Sequence, residues 1–155
     1  LLIRRPPPST RAVAAAASEV YQRQMKEYPD IQVLEEQAAD WQLDDALQIM
    51  ETWLQKHNDI DGVVAHNDQM ALGAMKACID ANMTDIKISG RDAVTDAVAA
   101  IANGTMTATV YSNGKAMGEM AIDVAAKIIN GESVEAVYHT ENTLITADNA
   151  ASFQP

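Results

Sequence analysis

Cysteine, glycine, aromatic residues and positive charge are all scarce in this chain of 155 residues. The lone Cys78 excludes an internal disulfide and a thiolate metal cluster, and its place in an apolar helical stretch predicts an inert buried thiol. The seven glycines fall into no nucleotide-loop motif. No G-x-G-x-x-G occurs, and the one Gly-Lys pair, Gly114-Lys115, has Thr109 where a phosphate loop requires glycine. The G-x-S-x-G nucleophile elbow is missing too. His57, His66 and His139 lie without ligand spacing, and no H-E-x-x-H or cysteine pair accompanies them, so no metal and no cofactor is expected. Lysine and arginine number 11 against 22 acidic residues, a net charge of −11. That surface repels phosphate backbones, which argues against nucleic acid as a partner and against an anionic membrane surface. No run approaches the ~20 apolar residues of a membrane span. The chain begins without methionine or a visible secretory signal, so its first residues do not report a compartment.

What is present is a core. Apolar residues make up 48% of the chain, enough for one ordinary domain. Short alternating runs take turns with longer helical ones. Strands are predicted at 31–34, 61–65, 86–89, 107–111 and 143–146. Helices are predicted at 12–27, 43–56, 69–81, 94–102 and 115–129, with Asn103-Gly104 and Asn130-Gly131 as left-handed stops. Leu43, Leu47, Met50 and Leu54 make the second of these helices amphipathic. This alternation means βαβ units, and hence an α/β fold with a parallel sheet and right-handed crossovers. Only the start is compositionally odd: Arg4 to Arg11 is proline-rich, Ala14 to Ala17 follows, and together they read as a loop entering a helix.

In an open parallel sheet, ligands lie outside the carboxyl ends of the strands. Those ends carry Asp40-Trp41, His66-Asn67-Asp68, Gly90-Arg91-Asp92 and Tyr111-Ser112-Asn113. The set holds an aromatic plane, amides, carboxylates, a hydroxyl and a guanidinium. It suits a small polyhydroxylated ligand, because carboxylates and amides fix vicinal hydroxyls while an aromatic ring covers the apolar C–H face. Each residue also has a plainer reading. Asp68 is an N-cap or a ligand contact, Asn67 a turn residue or a contact, and Trp41 a rim aromatic or a stacking plane. Asp92 is a helix cap or a hydroxyl acceptor, and Arg91 a surface charge or a contact. Tyr111, Ser112 and Asn113 are expected to supply one contact among them.

Three stretches taken in order, DIDGVVAHNDQMALGAMKA (59–77), ISGRDAVTDAVAAIANGTMTATV (88–110) and KAMGEMAIDVAAKIINGE (115–132), resemble the type 1 periplasmic sugar-binding proteins. These are the ribose/galactose/inositol-type receptors of bacterial ABC importers, a superfamily shared with the effector domains of lac-repressor-like regulators. The resemblance runs over about residues 28–146. It implies a three-layer α/β/α lobe, a periplasmic location, non-catalytic binding of a sugar or polyol, and delivery to an ABC transporter permease by the full-length protein. It maps Asn67 onto the family's sugar-contacting amide, Asp92 onto its hydroxyl-binding carboxylate, and Trp41 onto its sugar-lining aromatic. Ser112 falls where a glutamine or asparagine commonly contacts ligand. Arg91 stands where the family has an aromatic or apolar residue, and Ala93 where it has glycine.

The resemblance also sets the expected organisation. Residues 28–155 read as the C-terminal sugar-binding lobe of a two-lobed receptor, and 1–27 as an atypical start with a first helix lacking the family's arginine. That start is expected to be truncated, altered or out of frame. The helix near 115–130 reads as a crossover belonging to the missing N-terminal lobe, and its orphaned apolar face opens the way to self-association. A sugar-responsive regulator lobe is the alternative, distinguished by a helix-turn-helix encoded upstream rather than a signal peptide. A flavodoxin-like enzyme or signalling domain shares the βα pattern but explains neither A-H-N-D nor G-R-D.

Overall fold

The computed structural model describes residues 2–4 and 27–153. The strands are short and lie where β-branched runs stand between turn residues: β1 Leu2–Arg4, β2 Gln32–Val33, β3 Gly62–Val64, β4 Lys87–Ser89, β5 Thr109–Ser112 and β6 Asn142–Ile145. Between them come helices α1 Leu43–Lys56, α2 Asp68–Asp80, α3 Thr95–Ala102 and α4 Gly114–Ile129, and a 3-10 turn at Ala150–Ser152 follows β6. The helices expected from residue 43 onward all form within one residue of their predicted bounds. Gly104 and Gly131 hold φ of +84° and +75°, ending α3 and α4 in the left-handed conformation that glycine adopts without cost. The helix predicted over 12–27 lies outside the described residues, Glu27 apart.

The main sheet has the order β2-β1-β3-β4. No strand is expected before residue 31, and here the structure corrects the sequence. Leu2–Arg4 pairs antiparallel with β2 and with β3, because a three-residue run too short to show periodicity is still long enough to bridge two edges. Since β1 is antiparallel to both neighbours, β2 and β3 point the same way, and β3 pairs parallel with β4. The antiparallel pair β5–β6 joins β4 through a parallel bridge between Ser89 and Ala108. Bonds from Gly90 N to Ala108 O (3.0 Å) and Asp92 N to Val110 O (2.9 Å) continue that ladder. Strands β2, β3, β4 and β5 therefore end on one edge, and the reversed β1 does not disturb it.

The core gathers Met50 and Trp53 of α1, Val63, the alanine-rich face of α2, Ile86, Ile88, Ala97, Ile101 and Ile145. Helix α1 packs against α2, and the sequence provides for the approach at Gly73. A Cβ there would meet the main-chain carbonyl of Leu43, so only glycine lets the two backbones come this close. Cys78 is buried, and burial pushes its thiol pKa up to about 12, in keeping with an inert core residue. Helix α4 differs from its neighbours in that none of its residues is buried.

Candidate functional site

At the carboxyl edge of the sheet, four loops meet. The first follows β2, where Asp40 and Trp41 take φ of 44° and 60° and Gln42 N donates to Ala39 O at 2.7 Å. Two central residues of positive φ closed by this bond make a type I′ turn, a geometry that favours glycine and asparagine. A tryptophan there is strained, and strain of this kind collects at functional sites. The turn leaves the indole 68% exposed at the edge.

The second loop starts α2. Here the sequence reading needs correction: Asn67, not Asp68, is the N-cap. Its side-chain oxygen accepts from Met70 N at 2.9 Å, while its Nδ2 donates to Trp41 O at 3.3 Å. The first two loops are thus tied together. Asp68 is the first helical residue and fully buried, which removes it from direct ligand contact. Its Oδ1 accepts from the Thr109 hydroxyl at 2.6 Å and its Oδ2 from Val94 N at 2.9 Å. An aspartate reads as a cap by residue type alone, and a partner 41 positions away shows only in three dimensions. His66, half-buried just before, has its pKa lowered by burial and then by neighbouring positive charge, Arg91 included. It stays a neutral imidazole at neutral pH.

The third loop carries Gly90-Arg91-Asp92-Ala93. Asp92 stands at φ 117° and Ala93 at φ 56°, so the position where the resembled family has glycine does demand a glycine-like backbone. Asp92 is not the cap of α3: that place belongs to Val94, which has no side-chain cap, and whose N–H is taken by Asp68 instead. The Asp92 carboxyl is exposed at the edge. Its pKa is raised by partial burial and by the negative Asp68, with Arg91 opposing. The fourth loop contributes Ser112, whose hydroxyl accepts from Arg91 Nη2 at 3.2 Å and donates to Asn142 Oδ1 at 2.9 Å.

Trp41, Asn67, Arg91, Asp92 and Ser112 therefore share one edge, linked through Trp41–Asn67 and Arg91–Ser112 contacts. Sequence reasoning missed Thr109 and Asn142. The signal for Asn142 lay in the β5–β6 register, which sets it opposite Ser112. Thr109 had only its inward register in an otherwise ordinary strand. Asn113, a candidate contact by position, accepts from Ala116 N at 3.0 Å and caps α4. The edge presents an amide, a carboxylate, a guanidinium and a hydroxyl beside an exposed aromatic side chain, and among the described residues no three His, Cys, Asp or Glu side chains converge as metal ligands.

The periplasmic binding protein domain, as a family, matches residues 7–133. The chain belongs to that family. This periplasmic binding protein domain is 36% identical over 126 residues to a xylitol-binding protein of Mycolicibacterium smegmatis, a match spanning 81% of this chain and 36% of that protein. It is 40% identical over 105 residues to the ribose import binding protein of Bacillus subtilis, covering 68% of this chain and 34% of the relative. Among solved structures, an ABC transporter solute binding protein from Mycobacterium smegmatis with bound glycerol superposes with a TM-score of 0.77 at 35% identity, over 92% of this chain and 52% of that one. A periplasmic solute binding protein from Actinobacillus succinogenes with bound D-allose gives 0.78 at 27% identity, over 92% and 53%. The chain thus spans well under half the length of these curated relatives and about half of the solved chains. Its α/β fold is that of the periplasmic binding proteins.

Proposed function

We propose that this domain is the C-terminal lobe of a solute-binding protein that captures a sugar or polyol for ABC import in the periplasm. It performs no chemistry on the ligand and needs no cofactor. The observation that carries the reading is the shared edge: Asn67 and Asp92 offer an amide and a carboxylate for vicinal hydroxyls, with the Trp41 indole beside them. Arg91 and Ser112 extend the polar surface. In this reading the ligand lies between the edge and a second, N-terminal lobe, whose closure excludes water and completes the contacts. Residues 28–155 form the sugar-binding lobe, and the helix near 115–130 is a crossover that docks on the missing lobe, in line with its lack of burial. The full-length protein then presents its closed form to a transporter permease.

Calorimetric titration of the full-length protein with ribose, xylitol, D-allose and myo-inositol tests this. Saturable binding of at least one, weakened about tenfold or more by Asn67→Ala and by Asp92→Ala, is expected. Binding that survives both substitutions, or no binding of any sugar or polyol, would overturn it.

A further inference from the structure

We propose that Asp68 and Thr109 are the positioning residues of this edge: together they lock the Arg91–Val94 turn in the conformation that presents Asp92. The inference rests on the reading of Asp92 as a ligand contact. Both side chains are fully buried, so neither reaches a ligand itself.

Four backbone groups of the turn are fastened. Asp68 N donates to Arg91 O at 2.8 Å, and Asp92 N donates to Val110 O at 2.9 Å. Ala93 N donates to Thr109 Oγ1 at 3.3 Å, and Val94 N to Asp68 Oδ2 at 2.9 Å. The Thr109 hydroxyl then closes the knot on Asp68 Oδ1. Such fastening is needed because Asp92 and Ala93 hold positive φ, a conformation that persists only where the surroundings over-determine it. Gly90 leaves the space: a Cβ there would meet Asp68 Oδ1. The buried carboxylate is compensated by two donors and by its place at the start of α2, where the helix dipole favours a negative charge. A carboxylate held this way also lies close enough to Asp92 to act on its charge.

The test follows Asp92 directly in the 155-residue chain, by carboxyl NMR titration and by backbone couplings at Asp92 and Ala93, with ribose and xylitol affinities of the full-length protein measured in parallel. Thr109→Val keeps the shape and removes the hydroxyl. It is expected to change both couplings, move the Asp92 titration, and weaken binding about tenfold or more, with Thr109→Ser restoring all three. Asp68→Asn removes the charge and leaves one acceptor oxygen where the carboxylate offered two, and is expected to change the Asp92 and Ala93 couplings and to lower the Asp92 titration midpoint. The proposal is overturned if Thr109→Val folds with Asp92 couplings and titration unchanged. Should Thr109→Val not fold, unchanged Asp92 and Ala93 couplings in Asp68→Asn overturn it instead. Should no sugar bind the unaltered protein, the NMR arms still decide the positioning role, so the two readings fail separately.

Discussion

Asp92 illustrates how a candidate binding residue is held at a cost to the fold. Its pKa is raised by burial and by Asp68, so the native chain holds the proton more tightly than the unfolded chain does. Stability then falls as pH rises through the carboxylate range, because the unfolded state has already released its proton where the native state still keeps one. Asp92→Asn removes this dependence and suits the same backbone, since asparagine tolerates positive φ. The unfolding midpoints of the two proteins should coincide in acid, where Asp92 is protonated, and diverge in favour of the variant as pH rises from roughly 3 to 6. A wild-type chain that gains on the variant over that interval would contradict the assignment. The candidate residues Asn67, Arg91, Asp92 and Trp41 were legible because each follows a strand and opens a turn, where polar text stands out against apolar surroundings. Asp68 was misread and Thr109 missed for a shared reason. A buried polar pair is made by two residues that are each unremarkable in their own segment, and nothing local distinguishes them.

Elements were easier to read than strand ends. Helix α1 matched its predicted span because an apolar face repeated over fourteen residues leaves little choice of frame. Three-residue strands offer almost no period, and β1 escaped notice altogether. What the period also hides is how closely two helices lie, and Gly73 decides that for α1 and α2. Alanine at Gly73 gains about 1 kcal/mol of helix propensity but drives a methyl group into the main chain of Leu43 and Leu47, which cannot swing aside as a side chain would. A net loss of about 1–3 kcal/mol is expected, a drop of several degrees in the thermal midpoint for a chain of this size. Gly118 of α4 is the natural comparison, since nothing stands within 4 Å of a Cβ there. Gly118→Ala should raise the midpoint or leave it alone. Equal stabilisation by both substitutions would mean that the α1–α2 approach is looser than the structure has it.

At the scale of the molecule, α4 sets the outstanding question of partners. Lys115, Glu119, Asp123 and Lys127 recur every fourth residue and form one charged stripe, with Lys115 and Glu119 paired at 3.9 Å. Most of the remaining circumference is apolar, and Ile122, Ile128 and Ile129 stand 72%, 58% and 84% exposed. A helix patterned for burial yet unburied points to a surface outside the described residues. Charged substitutions there separate the alternatives. In the 155-residue chain, Ile122→Lys with Ile129→Glu removes little packing among the described residues, so unfolding free energy should move by no more than about 0.5 kcal/mol. Any self-association seen by sedimentation velocity should diminish. In a full-length protein whose other lobe covers α4, the same pair of changes would bury unpartnered charge and cost several kcal/mol. A full-length protein indifferent to the substitutions would leave α4 outside the interlobe contact, and the crossover assignment of this helix would have to be withdrawn.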